Sequence, residues 1–559
     1  MNVLGISAYY HDAAASLLQK GEVIAAVEEE RFSRIKNDAA FPLQAVNYCV
    51  QAGGISFYDI DYIVFYEKPF LKFWRVLVDH INSYPFSLRR FLQLMPYWLE
   101  DRLSFPLVLE REFDYKKDVF FIHHHLSHAA SAFLPSGFEE AAILTSDAVG
   151  EWATSTFGVG RGGKIEIIKE IKYPHSLGLF YSTVTSFLGF QALRGEGKVM
   201  GLAGWGRPVL GDKFAEIIKV FPDGSVKLNM EYFHFNRSKY MFNCCWRKLF
   251  GPPRRPEEKI KDIHRDIAAT LQSITEEALI KQARFIYSST KLENLCLAGG
   301  VFLNCIANHR ILEETPFKQV FIQPAAGDAG GALGAALYVY NCILKKKRKY
   351  KMDSAYLGPS FSSSFIENFL LSHQQKFEKM EEYKLLEYIA KRLSEGNIVG
   401  WFQGRTEWGP RALGNRSILA DPRRRDMKDI LNYKVKKREG FRPFAPAVLE
   451  ERAYEYFRLR QLSPFMLLAA KVKEDVKDRI PAVVHIDGTA RVQTVNIKAN
   501  KRFYLLIKEF YKITGVPVIL NTSFNLRGEP IVNTPQDAYD TFVKSGMDIL
   551  VLGDYVITK

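Results

Sequence analysis

The chain has 559 residues, enough for two to four domains, and its 47% hydrophobic and 25% charged residues are typical of a globular protein. It shows no signal peptide and no run of about 20 apolar residues, and its six cysteines lack zinc-type spacing, so we expect a cytoplasmic protein with reduced thiols. The formal charge of +14, without a recognisable nucleic-acid-binding module, favours phosphate-bearing small molecules over nucleic acid as ligands.

The first 28 residues alternate apolar runs with turns. An apolar run from Val3 leads to the turn Tyr10-His11-Asp12, and two further apolar runs follow, separated by Gly21. A helical pattern begins at Leu43. A strand-rich start followed by helices indicates a layered α/β domain.

Residues 67–118 differ in composition, being rich in Phe, Trp, Leu, Lys and Arg and interrupted by four prolines. The pattern predicts short amphipathic helices that form an insertion in the first domain. They would form either a packed helical subdomain or a contact surface for a membrane or a partner.

A second α/β series follows the insertion and extends to about residue 344. Apolar runs predict strands at 119–122, 141–144 and 295–297, and a long helix is expected from Asp262 to about Ser289. The basic run 345–349 is typical of a solvated linker. We therefore predict one domain over residues 1–350 and a second over 351–559, and we find no internal sequence repeat.

The sharpest local motif is a histidine pair in an Ala-rich segment. His124 and His128 are four residues apart, so on a helix they lie on one face and could bind a transition metal. Asp147 follows an apolar strand and Asp328 precedes a helical pattern, so both could complete the site. The histidines could instead be core or surface residues, and Asp328 could cap its helix. Iron(II), manganese and zinc all suit such ligands.

Glycine-rich loops indicate a nucleotide pocket in the same domain. One follows a strand and contains Gly299, Gly300 and Asn304; glycines there let backbone N–H groups approach phosphate. Another, Gly195-Glu196-Gly197-Lys198, adds Lys198 for phosphate and Glu196 for a hydroxyl. Tight turns would explain any one of these loops alone. The sequence contains no Walker loop or dinucleotide fingerprint.

The second domain carries basic residues in loops punctuated by Gly and Pro. Arginine binds phosphate through two parallel hydrogen bonds, lysine adds a point charge, and amide or hydroxyl groups can fix an uncharged polar end of such a ligand. The alternative is pairing with surface carboxylates, few of which lie nearby in sequence. The candidate residues are Arg411, Lys436, Arg442, Arg491, Asn521 and Ser523.

Over nearly its whole length the chain resembles the NodU-type carbamoyltransferases. In this family Pro-Tyr is frequent where this chain has Gly204-Trp205. The most specific parts of the resemblance are the Tyr10-His11-Asp12 turn and residues 124–132, 195–202, 298–304, 327–336, 409–421, 436–446 and 521–524.

The resemblance implies an N-terminal domain of the actin/hexokinase-like (ASKHA) type and a C-terminal YrdC-like α/β domain. It implies that the C-terminal domain makes carbamoyl-adenylate from carbamoyl phosphate and ATP, and that the N-terminal domain passes the carbamoyl group to a hydroxyl acceptor. The residues implied are His124, His128, Asp147 and Asp328 for iron(II), His11 and Lys36 near acceptor and adenylate, and Lys436, Arg442, Arg411, Arg491, Asn521 and Ser523 for carbamoyl phosphate and ATP.

From these residues we expect an O-carbamoyltransferase that uses ATP with Mg²⁺ and acts on a sugar-containing acceptor. Lys436 would offset charge on the departing phosphate, and His11 would be the general base unless it only holds its turn together with Asp12. Two alternatives stay open: threonylcarbamoyl transfer to tRNA, and a non-catalytic nucleotide-binding regulator. A lipid-linked acceptor and a homodimer are further expectations.

Overall fold

The computed structural model describes residues 1–235 and 240–559. These residues form two compact units, of which the first comprises residues 1–26 and 39–352 and the second comprises 27–38 and 353–559. An early segment of the chain therefore belongs to the unit that the C-terminal part builds. Among the described helices, none combines the length and apolarity needed to cross a bilayer.

The first unit contains two five-stranded sheets with the same strand order, β3-β2-β1-β4-β5 and β8-β7-β6-β11-β12, in the described chain. In the first sheet, the central strand β1 is antiparallel to β2 and parallel to β4. In the second sheet, the central strand β6 is likewise antiparallel to β7 and parallel to β11. A small hairpin, β9-β10, lies apart from both. The strands are β1 Asn2–Ser7, β2 Ala14–Gln19, β3 Glu22–Glu28, β4 Tyr62–Phe65, β5 Val119–Phe121, β6 Glu140–Ser146, β7 Ala153–Arg161, β8 Lys164–Lys172, β9 Ile218–Val220, β10 Val226–Leu228, β11 Asn294–Ala298 and β12 Gln319–Ile322.

This repeated topology is the layout of the actin/hexokinase-like fold, so the predicted class of the first unit is confirmed. The two sheets share the same strand order, but the sequence contains no corresponding repeat. The predicted strands at 119–122, 141–144 and 295–297 correspond to β5, β6 and β11. In β6 and β11 nearly every residue is buried, as expected for central strands covered on both faces.

The helices of the first part of the chain are α1 Glu30–Ser33, which belongs to the second unit, α2 Leu43–Ala52, α3 Pro69–Asn82, α4 Leu88–Tyr97, α5 Phe105–Phe113, α6 His124–Phe133, α7 Leu177–Phe187, α8 Glu196–Ala203, α9 Gly211–Ala215, α10 Cys245–Phe250, α11 Asp262–Thr290, α12 Cys305–Glu314 and α13 Asp328–Tyr338. The predicted long helix is thus confirmed, and residues 67–118 contain helices α3, α4 and α5. The prediction of a loop at residues 195–198 is wrong. Helix α8 begins at Glu196, whose carboxylate accepts hydrogen bonds from the Leu193 amide and the Ser182 hydroxyl, each at 2.7 Å, and so fixes the first turn.

Helices α6 and α13 cross between the two sheets. Helix α6 follows the last strand of the first sheet and packs against β6 and β11, whereas α13 follows the last strand of the second sheet and packs against β1 and β2. The two helices also pack on each other so closely that a Cβ at Gly334 would lie 1.9 Å from the Ser127 carbonyl oxygen. Small residues at these positions therefore bring the start of α13 beside α6.

The second unit is built on a mixed ten-stranded sheet of order β13-β22-β21-β14-β15-β20-β16-β19-β18-β17, all of it within described residues. Its strands are β13 Glu378–Lys379, β14 Val399–Phe402, β15 Arg416–Ala420, β16 Ala445–Leu449, β17 Phe457–Arg458, β18 Leu468–Val472, β19 Thr489–Val495, β20 Val518–Ser523, β21 Ile549–Leu552 and β22 Tyr555–Thr558. Its further helices are α14 Ser363–Ser372, α15 Glu382–Ser394, α16 Met427–Ile430, α17 Ala453–Tyr456, α18 Lys501–Thr514 and α19 Pro535–Lys544.

Two apolar clusters cover the two faces of this sheet. Along β20, Val518 and Leu520 enter one cluster and Ile519 the other, as the alternation of side chains in a strand requires. The α/β class predicted for the C-terminal part is confirmed.

The early segment 27–38 is held in the second unit by buried charges. The side chain of Arg31 is fully buried, donates to the Gly409 carbonyl at 2.7 Å and lies 3.5 Å from Glu28 and 3.1 Å from Glu30. Glu28 in turn accepts a hydrogen bond from the Gly409 amide at 2.8 Å. Arg34 donates to the Ile531 carbonyl at 2.6 Å. The segment is therefore an integral part of this unit.

Candidate metal centre and anion site

Four buried side chains of the first unit converge on one point. Helix α6 places the Nε2 atoms of His124 and His128 3.2 Å apart. Asp147 follows the last residue of β6, and its Oδ2 lies 3.4 Å from His124 Nε2 and 3.0 Å from His128 Nε2. Asp328 begins α13, and its Oδ1 lies 3.6 Å from both nitrogens. One ligand atom from each residue lies within 4.8 Å of all the others.

The donor set fits a divalent cation. Asp328 Oδ1 is buried and has no hydrogen-bond partner among the described residues, while its Oδ2 accepts from the Tyr66 hydroxyl at 3.3 Å. Two imidazole nitrogens that face each other and two carboxylate oxygens satisfy one another poorly without a shared cation. Two nitrogen and two carboxylate oxygen ligands suit iron(II), manganese or zinc. The four predicted residues could therefore hold a metal ion.

Electrostatics show how strongly these groups interact. Burial lowers the pKa of His128, but its hydrogen bond with Asp147 and the nearby carboxylate of Asp328 outweigh burial and raise that pKa to about 9. Burial raises the pKa of Asp147, but hydrogen bonds and charge from His124 and His128 hold it well below its ordinary value. Positive charge at this point is therefore favoured, whether it is a proton or a metal ion.

Two buried carboxylates that lie next to His124, Glu67 and Glu151, were not predicted from the sequence. Glu67 is buried, pairs with Lys72 of α3, and has a carboxylate oxygen 3.9 Å from His124 Nδ1. Glu151 accepts hydrogen bonds from the backbone amides of His124 at 3.0 Å and Lys68 at 2.8 Å, which secures the first turn of α6. Glu67 lies in the predicted insertion, but no motif in the sequence places it beside a histidine of α6.

His11 lies in the turn between β1 and β2, with its Nδ1 3.0 Å from Asp12 Oδ2. Burial lowers the pKa of His11, but the charges of Asp328 and Asp12 outweigh burial and raise it to about 10. In the metal-free protein His11 is therefore protonated at neutral pH and suits anion binding. Burial raises the pKa of Glu196 above its ordinary value, against smaller lowering effects of its hydrogen bonds and of the charge of His11.

The glycine loop after β11 is fixed by close backbone approach. Gly299 has φ near +100°, and a Cβ there would lie 2.2 Å from the Ser146 carbonyl oxygen, so only glycine fits. A Cβ at Gly300 would lie 3.0 Å from Asp147 Oδ1, which places this loop beside a candidate ligand.

Asn304 and Lys198, which the sequence predicts as nucleotide contacts, interact with other side chains of the first unit in this structure. Asn304 caps α12 through the Ala307 amide and exchanges two hydrogen bonds with Gln272, at 2.9 and 3.0 Å. The Lys198 ammonium lies 5.6 Å from the centre of the Phe190 ring.

In the second unit, predicted basic residues form a cation cluster. Burial lowers the pKa of Lys436 well below its ordinary value, and the charges of Arg438 and Arg442 lower it further. Burial also lowers the pKa of Arg438 well below its ordinary value, and the charges of Arg442 and Arg491 lower it further. We call Lys436, Arg438, Arg442 and Arg491 the cation cluster. Arg438 lies in the basic run that the sequence displays, but it was not singled out as a site residue.

Hydrogen bonds tie the neighbouring loop and strands together. Asn521 of β20 donates to the Ala412 carbonyl at 3.2 Å and to Gln493 Oε1 at 2.8 Å, while Gln493 donates to the Leu413 carbonyl at 2.7 Å. The loop that contains Arg411 therefore adjoins Asn521 and β19, the strand of Arg491. The Asn521 Oδ1 atom is buried without a hydrogen-bond partner among the described residues, so it can accept from a ligand.

Lys436 lies at the same end of β20. Its ammonium donates to the Ser523 carbonyl, lies 3.4 Å from the Ser523 hydroxyl and donates to the Asn525 side chain at 2.9 Å. Lys36, by contrast, belongs to the early segment of the second unit and pairs with Glu30 at 2.8 Å.

Models of a known protein family match most of the chain. The model described as "Carbamoyltransferase N-terminus" matches residues 2–337, and that described as "Carbamoyltransferase C-terminus" matches residues 390–559. The chain belongs to the carbamoyltransferase family.

Relatives of this carbamoyltransferase support the assignment. An uncharacterised protein of Synechocystis is 46% identical and spans 100% of this chain and 97% of its own length. The nodulation protein NolNO of Sinorhizobium fredii is 38% identical over 99% of this chain and 79% of its own length. Nodulation protein U of the same species is 28% identical over 94% of each chain. The predicted family, NodU-type carbamoyltransferases, is confirmed.

Proposed function

We propose that this carbamoyltransferase makes carbamoyl-adenylate from carbamoyl phosphate and ATP in its second unit and transfers the carbamoyl group to a hydroxyl of a sugar-containing acceptor in its first unit. One observation carries the proposal: the second unit brings together the buried Lys436 and the half-buried arginines of the cation cluster, whereas the first unit gathers two histidines and two carboxylates. The first set suits phosphate anions and the second a divalent cation.

The cation cluster prepares the second unit for activation of carbamoyl phosphate. Burial lowers the pKa of Arg442, and the charges of Arg491 and Arg527 lower it further against the opposing effect of Glu439, so a bound phosphate would relieve repulsion among these cations. Arg411, Arg442 and Arg491 would bind the phosphate of carbamoyl phosphate. Water would attack its phosphorus, the P–O bond to the carbamoyl group would break, and Lys436 would offset the charge of the departing carbamate while inorganic phosphate is released. Asn521 Oδ1 would accept from the carbamoyl amide. Carbamate would then attack the α-phosphate of ATP, which travels with Mg²⁺, and release pyrophosphate.

In the first unit we propose iron(II) at His124, His128, Asp147 and Asp328, with manganese or zinc as alternatives. Bound there, the cation supplies Lewis-acid stabilisation of negative charge on a phosphate. His11 would hold the proton of the acceptor hydroxyl. Its pKa of about 10 falls when the charge of Asp328 is neutralised, because that charge is the largest influence that raises it.

A panel of acceptors tests the function. The full chain is incubated with carbamoyl phosphate, ATP, Mg²⁺ and hydroxylated acceptors, including aminoglycosides, oligosaccharides and tRNA, and products are followed by mass spectrometry. We expect a carbamoyl mass gain on a sugar-containing acceptor that requires both carbamoyl phosphate and ATP. Carbamoylation confined to tRNA, or ATP consumption that does not depend on carbamoyl phosphate, would contradict the proposal.

A further inference from the structure

The helical insertion of the first unit exposes a large set of apolar and aromatic side chains. Phe70 is 70% exposed, Trp74 56%, Phe86 72%, Leu92 61% and Tyr97 67%. We call the exposed side chains between residues 70 and 99 the aromatic face. Its large apolar members are Phe70, Leu71, Trp74, Ile81, Tyr84, Phe86, Leu88, Leu92, Tyr97 and Leu99. A group of this kind marks a contact surface, whereas apolar residues scattered singly over a surface need no explanation.

Helix α4 is the clearest part of this face. It contains Leu88, Phe91, Leu92, Leu94, Met95 and Tyr97, yet none of its residues, all of them described, is buried. Helices of globular proteins gain most of their stability by burying an apolar side. A strongly amphipathic helix without a buried side is typical of one that lies in a bilayer interface.

Helix α3 is anchored on its other side. Lys72 pairs with the buried Glu67, and Arg75 stacks on the Tyr173 ring with 4.9 Å between the guanidinium carbon and the ring centre. These contacts fix the rotation of α3, so Phe70, Leu71 and Trp74 are directed away from the core of the first unit. The buried contacts of Lys72 and Arg75 therefore hold this part of the aromatic face at the surface.

The charges on the face have one sign. Between residues 70 and 99, a stretch described throughout, the exposed charged side chains are Arg89 and Arg90. Arg90 also donates a hydrogen bond to the Phe235 carbonyl at 3.2 Å, and the exposed Glu100 follows directly after this stretch. The one carboxylate in this stretch, Asp79, is partly buried and accepts a hydrogen bond from the Tyr173 hydroxyl at 2.7 Å. An amphipathic helix that carries arginine together with exposed Phe, Leu and Tyr side chains, and buries none of its residues, is typical of helices that lie on a bilayer containing anionic lipids.

We propose that the aromatic face docks this protein on the surface of a bilayer that contains anionic lipids. Trp74, Phe70 and Leu92 enter the headgroup region, and Arg89 and Arg90 contact lipid phosphates. The docking is peripheral and needs no segment that crosses the bilayer. It does not depend on the proposed reaction, because it rests on the exposed helices alone.

Vesicle co-sedimentation of the full chain tests the docking. The probes are vesicles of phosphatidylcholine alone and of phosphatidylcholine with about one third phosphatidylglycerol. We expect binding to the anionic vesicles that weakens as salt is raised, and at least about tenfold weaker binding to the neutral ones. The triple variant Phe70→Ser, Trp74→Ser, Leu92→Ser should lower binding at least about tenfold, and Arg89→Glu at least about fivefold.

A matched control separates this face from general surface hydrophobicity. The triple variant Tyr383→Ser, Leu371→Ser, Ile513→Ser removes three exposed apolar side chains of the second unit and should bind vesicles like the parent. Circular dichroism and metal content should be the same for all variants. No binding of the parent, or equal binding of both triple variants, overturns the proposal. So does a dimer in sedimentation velocity that the first triple variant abolishes, since a second copy of the chain would then cover the face.

Discussion

Glu151 shows how one buried carboxylate prepares the start of the histidine helix. Burial raises its pKa, but the His123 imidazole 3.9 Å away, the charge of His124 and the hydrogen bonds from the amides of Lys68 and His124 together lower it to about 2. A carboxylate at a helix N-terminus satisfies amides that have no partner within the helix and complements the helix dipole. The sequence identified His124 and His128 by their spacing, but it could not identify Glu151, which lies 27 positions after His124 and reaches it only through the fold.

The pH dependence of stability tests this role. The pKa of Glu151 is about 2 in the folded protein, whereas its ordinary value is 4.5. The ionised carboxylate therefore adds its full contribution to the free energy of unfolding above about pH 4.5, and this contribution is lost as the pH falls toward 2. We expect Glu151→Gln to lower the free energy of unfolding at pH 7 by about 1–2 kcal/mol and to flatten its decline below pH 4.5. Urea unfolding of the metal-free protein across this range provides the measurement.

The exposed Glu455, which pairs with Arg452, is the control for this substitution. Glu455→Gln should change the free energy of unfolding by less than about 0.5 kcal/mol. Equal effects of the two substitutions would mean that Glu151 has no special role at the helix start.

At the scale of elements, the metal centre depends on the close packing of α6 and α13. The sequence predicts both helices from their Ala- and Gly-rich patterns, and it predicts which residues could be ligands. It does not show that each helix packs on the sheet of the other half, because that follows from a topology repeated without sequence similarity. The wrong prediction of a loop at 195–198 has a related cause, since the contacts that start α8 include Ser182, a residue on α7.

Gly334→Ala tests the packing of these helices. Its Cβ would lie 1.9 Å from the Ser127 carbonyl oxygen, so α13 and α6 must separate. We expect this strain to cost about 1–3 kcal/mol, more than the gain in helix propensity of about 1 kcal/mol. Bound metal should also decrease, because Asp328 begins α13. Urea unfolding and elemental analysis of the purified protein measure the two effects.

A helical glycine in open space supplies the comparison for Gly334. In α8, a Cβ at Gly197 would meet no atom within 4 Å. Gly197→Ala should therefore keep the metal and stabilise the protein by up to about 1 kcal/mol. Retained metal and unchanged stability in Gly334→Ala would show that the helices tolerate separation.

At the scale of the molecule, the two candidate sites are built by different folds. The histidine–aspartate group lies in the duplicated sheets of the first unit, and the cation cluster lies beside the mixed sheet of the second. The sequence predicted both α/β folds and the residue types of both sites. It did not indicate that residues 27–38 belong to the second unit, because the hydrogen bonds of Arg31 and Glu28 with Gly409 join residues more than 370 positions apart.

If each unit performs its own half of the reaction, substitutions should separate the two halves. His124→Ala combined with His128→Ala should abolish bound metal and carbamoyl transfer but retain carbamoyl-phosphate-dependent ATP–pyrophosphate exchange, since each set of residues lies within its own unit. Arg442→Ala should keep the metal and lower this exchange by at least about a hundredfold, because a charge-assisted contact from this half-buried side chain to phosphate contributes about 3 kcal/mol. The exposed Arg458 gives the control, and Arg458→Ala should retain both properties. Loss of exchange in the histidine variant, or normal exchange in Arg442→Ala, would contradict a division of the reaction between the units.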